Sequence, residues 1–167
     1  MAVPTQAIKA LRERTGAGIM DSKHALEESN GDFEKAEKIL ATRGVEIASK
    51  KLGRTAEQGL IEVYVHTGGR LGAIVELNCE TDFVARTPQF KTLAHDLAMQ
   101  VVAMAPEYLS PADLPPDSTA SPEEVCLLSQ PFIKDPTKTI QDLVTDAIVQ
   151  VRENVRVKRF VRFELGK

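Results

Sequence analysis

The chain has 167 residues, 43% of them hydrophobic and 27% charged, enough for one domain with a real core or for a small domain joined to a medium one, the division expected here, in a soluble globular protein. No apolar run approaches the length that spans a bilayer, and the charged N-terminal segment lacks the apolar core of a signal peptide, so a cytoplasmic protein without a membrane partner is expected. A net charge of −3 argues against a general nucleic-acid binder, and two cysteines without CxxC spacing, Cys79 and Cys126, fit reduced thiols better than a zinc site or a disulfide framework.

The charge is uneven. Residues 1–54 hold ten Lys/Arg against eight Asp/Glu, residues 55–150 five against fourteen, and residues 151–167 six against two. Patches of opposite sign suit an oriented protein partner better than a polyanion.

In chain order, Pro4 opens a helix through Arg14 in which Ile8 and Leu11 face inward, and Thr15-Gly16 ends it. A second helix covers Ile19 to Glu28. Asn30-Gly31 breaks the chain, Asp32 can cap a third helix, and Phe33, Ala36, Ile39 and Leu40 recur at helical spacing until Gly44 stops it. These elements make a three-helix domain over residues 1–44, with Leu11, Leu26 and Leu40 supplying most of its burial. Residues 45–58 read as a charged, partly helical linker. From residue 59 the period changes: Ile61, Val63 and Val65 alternate with Glu62 and Tyr64, and after a glycine turn Leu71, Ala73, Val75, Leu77 and Cys79 alternate likewise, which predicts a hairpin.

Thr87-Pro88 opens an amphipathic helix with Phe90, Leu93, Ala94, Leu97, Val101 and Met104 on one stripe. Residues 106–122 contain five of the nine prolines and read as an irregular surface connection. Ile140, Leu143, Val144, Ala147, Ile148 and Val151 mark another amphipathic helix. The chain closes on a strand whose apolar phase is Val155, Val157, Val161, Phe163 and Leu165 and whose other phase is basic. The expected fold is α+β: a helical domain, a linker, and a core over 59–167 with a small antiparallel sheet covered on one face by helices.

Catalytic and metal motifs are weak. TGAG at Thr15 to Gly18 lacks a following GK[ST]; His24, His66 and His95 lie on separate elements without ligand spacing; Glu80 and Asp82 have no third oxygen ligand near them in sequence. The basic last strand offers an RNA-binding alternative through Arg156, Lys158 and Arg162, which the acidic middle opposes. The helical domain offers a second alternative, a general protein-interaction module. The segment TDFVAR is the unusual one, because it sets a large ring at the tip of a polar turn between strand and helix. Phe83 either tucks under the sheet or anchors in a partner's pocket, with Asp82 bringing charge to the same place.

The runs LRERTGAGIMDSKHALEESNGDFEKAEKILATRG, ELNCETDFVAR, QPFIKDPTKT and RFVRFELG closely resemble the bacterial elongation factor Ts family over nearly the whole chain. The resemblance implies a ubiquitin-associated type of helical domain ahead of the core, no covalent catalysis, no cofactor, and elongation factor Tu as partner, with exchange of GDP for GTP on that partner as the activity. It also implies that Thr81, Asp82, Phe83 and Val84 dislodge Mg²⁺ from the nucleotide site of elongation factor Tu, and that Arg12, Ile19, Met20 and Lys23 contact its GTPase domain. Residues 106–122 are shorter than the matching region of many relatives. Val161 stands where some short relatives carry a dimer-linking cysteine, leaving only a non-covalent homodimer open. Arg152 stands where glycine is common before Glu-Asn.

Overall fold

The computed structural model describes residues 3–167, so the first two residues of the expected N-terminal domain lie outside the described residues. Helices α1 (Thr5–Thr15), α2 (Ile19–Glu28) and α3 (Phe33–Lys51) come first. Gly16, in the left-handed region at φ 69°, closes α1 by donating its N–H to Arg12 O. Asp32 caps α3 by accepting from Lys35 N. Leu11, Ala17, Ala25, Leu26, Ala36 and Leu40 form a core of their own. Half of those six are alanine, so the leucines carry most of its burial, at about 1.5–3 kcal/mol each.

Gly44 does not stop α3. The helix runs on to Lys51 and takes up the first part of the expected linker. A Cβ at Gly44 would lie 3.3 Å from Val149 Cγ2 on α7 (Ile140–Val151), so the glycine serves as a point of close approach between helices rather than as a terminator. One turn later Ala48 belongs to the main core. The isolated-helix cost of glycine, about 1 kcal/mol relative to alanine, is outweighed here by tertiary packing.

Strands β1 (Gln58–Val65), β2 (Leu71–Cys79) and β5 (Arg156–Glu164) make an antiparallel sheet in the order β1-β2-β5. Helix α5 (Pro88–Met104) covers its inner face, burying Phe90, Leu93, Leu97 and Val101 against Val75 and Leu77, and α7 packs beside it. The irregular connection is closed by Tyr108 and Cys126, which form a bridge after the single turn α6 (Pro122–Val125). Gln100 and Gln130, both fully buried, bond to each other at 3.2 Å and to surrounding backbone, satisfying amides that would otherwise be costly to bury. A short ladder that the sequence pattern did not suggest, β3 (Pro131–Phe132) with β4 (Asp135–Thr139), leads into α7, whose start carries a Thr139/Asp142 capping box.

The apolar phase of the strands departs from expectation. In β1 the half-buried residues are Leu60, Glu62 and Tyr64, and Ile61, Val63 and Val65 lie on the outer face. Glu62 and Tyr64 are held inward by His95 of α5, through a 3.0 Å contact to the carboxylate and an edge-on ring contact at 5.5 Å. In β5, Val157 opposes Leu77 and Arg159 opposes Glu76, so Lys158 is an extra residue with no partner. Such a bulge shifts the side-chain period by one. Val157 is therefore buried while Val161 and Phe163 point outward, Phe163 with 60% of its surface exposed.

Because the Gly44 contact is tight but not closed, Gly44→Ala is expected to change stability by less than about 1 kcal/mol, helix propensity offsetting the crowding. Gly44→Leu should destabilise by about 1–3 kcal/mol. Urea unfolding of the two variants checks this; equal midpoints would contradict the close approach of α3 to α7.

Candidate protein-docking site

The corner after β2 is built from two successive threonine caps. Thr81 Oγ1 accepts from Val84 N at 3.4 Å and starts the one-turn helix α4 (Asp82–Ala85). Thr87 Oγ1 accepts from Phe90 N at 3.3 Å, donates to Val84 O at 2.8 Å, and starts α5 with Pro88 in its first turn. Ala85 is buried and Val84 packs on the main core. With those two side chains inward, the short turn leaves Phe83 outward, 80% exposed. Asp82 is half-buried and pairs with Arg86 at 2.7 Å, a surface ion pair worth well under about 1 kcal/mol that a partner can displace.

Beneath the corner lies a polar joint. Glu153, between α7 and β5, accepts from Glu80 N at 3.1 Å and Thr81 N at 3.0 Å with one oxygen, and from Thr81 Oγ1 at 2.6 Å with the other. Glu80 reciprocates, accepting from Asn154 N at 2.6 Å. Cys79 Sγ donates to Thr81 O at 3.1 Å. Burial, reinforced by the Glu153 charge, pushes this thiol from 9.0 up to about 11. Residue spacing did not single out Glu153 or Asn154; the sequence marks them only as a polar pair between an amphipathic helix and the last strand, and the family resemblance only through the Glu-Asn that follows Arg152.

The bundle presents the other group of candidate residues. Arg12, Ile19 and Met20 are exposed, Ile19 by 58% and Met20 by 56%, and they line a cleft of about 830 Å³ whose opposite wall includes Gln89, Gln150 and Arg152. Lys23 is half-buried, pairs with Glu27 at 3.8 Å, and does not line that cleft. Three of the four cations of β5 are engaged within the chain, Arg156 donating to Ala56 O, Arg159 to Glu76, and Arg162 to Val102 O and Glu164, while Lys158 is exposed. Among the described residues there is no group of three His, Cys, Asp or Glu side chains that could hold a metal ion, and no helix is long and apolar enough to cross a membrane.

The fold and its surface define an α+β protein with two buried clusters and exposed apolar side chains on its helices and sheet. A family model described as elongation factor Ts matches residues 6–125 and 119–167, and the chain belongs to that family. It is 47% identical to elongation factor Ts of Carboxydothermus hydrogenoformans, over 99% of this chain and 90% of that relative. Identity is 44% to the factor of Moorella thermoacetica, over 96% and 94%, and 43% to that of Caldanaerobacter subterraneus subsp. tengcongensis, over 99% and 98%. The first comparison extends over 195 positions against 167 residues here, so the relative carries internal residues that this chain lacks.

The shielded thiol has a pH signature. Folded Cys79 keeps its proton where an unfolded cysteine loses it, so its contribution is fully present below pH 9 and is lost as pH rises towards about 11. Between pH 9 and 11 the melting temperature of the wild-type protein should fall more steeply than that of Cys79→Ser, whose hydroxyl does not ionise in that range. Parallel thermal denaturation curves would contradict the shielding.

Proposed function

We propose that this chain releases GDP from elongation factor Tu by driving the Phe83 ring, with Asp82 beside it, into the GTPase domain at the Mg²⁺-nucleotide site. Family membership makes it a translation elongation factor whose partner is elongation factor Tu. The supporting observation is the ring itself: a phenylalanine 80% exposed on a doubly capped corner. Leaving such a side chain in water forgoes about 1.5–3 kcal/mol of burial, which a partner's pocket can supply. Because the corner is already ordered, little conformational freedom is lost when the ring docks.

Thr81 and Val84 hold the corner, while Arg12, Ile19, Met20 and Lys23 supply a second contact with the same GTPase domain. No covalent step is assigned to this chain, which acts as a non-enzymatic factor without a cofactor or direct nucleic-acid contact. A GTPase holds its nucleotide through a phosphate cradle and Mg²⁺, so displacing the ion weakens the nucleotide's hold. Stronger binding to the nucleotide-free partner than to the loaded one is then sufficient for exchange.

The outer face of the sheet supports a second, independent contact: a non-covalent homodimer. Ile61, Val63, Val65, Ile74, Val161 and Phe163 form an exposed apolar surface. Glu76 and Arg159 beside it pair with each other at 2.7 Å, which lowers the charge that a second copy would meet there.

Phe83→Ala is expected to slow release of fluorescent GDP from elongation factor Tu about tenfold or more, with little change in melting temperature because the ring is exposed. Unchanged release would reject the insertion. In sedimentation, the wild-type chain should form a dimer and Val63→Asp a monomer; a monomeric wild type at tens of micromolar concentration, about the range of a weak dimer, would reject the sheet contact.

A further inference from the structure

Three consecutive residues at the joint between α7 and β5 each reach a different part of the chain. Arg152 Nη2 donates to Asp21 Oδ2 at 2.6 Å, next to Ile19 and Met20 on the bundle. Glu153 collects two backbone N–H groups and one hydroxyl from the Glu80-Thr81 turn. Asn154, only 1% exposed, donates from Nδ2 to Arg54 O at 2.7 Å and Leu52 O at 3.4 Å, on the segment that joins bundle to sheet.

We propose that Arg152, Glu153 and Asn154 form a clasp that holds the Phe83 corner and the exposed face of the bundle in one frame, with Glu153 a positioning residue for nucleotide release. The proposal rests on the docking reading above. The Glu153 carboxylate is held by the turn, through Glu80 N, Thr81 N and the Thr81 hydroxyl, and it is the neighbouring Glu80 that pairs with a cation, Arg54 at 3.5 Å. It orients the Thr81 hydroxyl, whose oxygen in turn caps Val84 N and so sets the direction of the turn that carries Phe83. Rotation of that turn would leave the ring attached but misdirected, and a misplacement of about 1 Å is enough to lose much of a geometry-dependent rate.

Arg152 serves the bundle side. It occupies the left-handed region at φ 61°, ψ 20°, where glycine is unstrained and a side chain is not. The pair it makes with Asp21 is roughly half exposed, so it contributes direction more than stability. Gly18 leaves room for it: a Cβ there would lie 3.0 Å from Asp21 Oδ2 and 3.6 Å from Arg152 Nη2. The two arms therefore predict different kinetic defects, one in the rate at saturation and one in the concentration needed to reach it.

The test uses the full chain and elongation factor Tu loaded with fluorescent GDP at fixed Mg²⁺, with release followed over a range of concentrations. Glu153→Ala should lower the saturated rate about tenfold while moving the half-saturating concentration less than about threefold. Glu153→Gln has one acceptor oxygen for three donors and should lose about threefold. Arg152→Gly should keep the saturated rate and raise the half-saturating concentration about threefold or more, and combining Asp21→Arg with Arg152→Asp should restore it. A folded Glu153→Ala with the wild-type saturated rate overturns the clasp, as does a wild-type rate in Glu153→Gln should Glu153→Ala not fold. Phe83→Ala measured alongside separates the two ideas: if it too releases at the wild-type rate, the docking reading has failed, and if it alone is slow, only the clasp has.

Discussion

The antiparallel pairing of β2 with β5 is the constraint on which the rest of the molecule depends. Asn78 lies opposite Arg156, so the end of one strand sits beside the start of the other. The turn leaving β2 and the joint entering β5 are separated by more than seventy residues in sequence and are brought into direct hydrogen bonding. The corner that carries Phe83 is thus braced from below by a distant part of the chain. A single strand-to-helix turn would fray; this one is tied to the sheet's centre.

The same pairing governs the outer surface. The unpaired Lys158 inverts the alternation of β5 and carries Val161 and Phe163 to the outside, where they join Ile61 and Val63 of the edge strand. One extra residue therefore decides whether the last strand contributes to the core or to a contact surface. The small bundle, whose own core is half alanine, gains support by laying α3 on α7 at Gly44 and by burying Ala48 in the main core. A bundle of that size is marginal alone, and the long third helix couples it to the larger unit.

Much of this was legible in the residues. The helical stripe from Phe90 to Val101, the hairpin, the Thr87-Pro88 start of α5 and the α+β class follow from period and turn chemistry, which are local properties, whereas Met104, expected on the same stripe, lies at the end of the helix with 41% of its surface exposed. Gly44 misled because a glycine at a helix crossing and a glycine at a helix end look alike until the neighbouring Val149 is in place. The bulge at Lys158 misled for a related reason: alternation in sequence reports a face only while the register holds. Residue pattern alone marked Phe83 as unusual without deciding its direction, since a ring in a turn packs inward as readily as outward; only the family resemblance implied that it faces a partner, and it is 80% exposed. Glu153 and Asn154 were invisible to spacing because their partners are fixed by strand pairing and not by proximity along the chain.

An exchange factor binds one state of its partner better than another, and linkage requires that preference to be reciprocal. The most direct measurement is the affinity of this chain for elongation factor Tu with GDP bound and for the same partner without nucleotide, at equal Mg²⁺. The account predicts much tighter binding to the empty form, by the same factor by which the chain weakens GDP. Equal affinity for the two forms would contradict it, because a ligand that binds both states equally shifts nothing however tightly it binds.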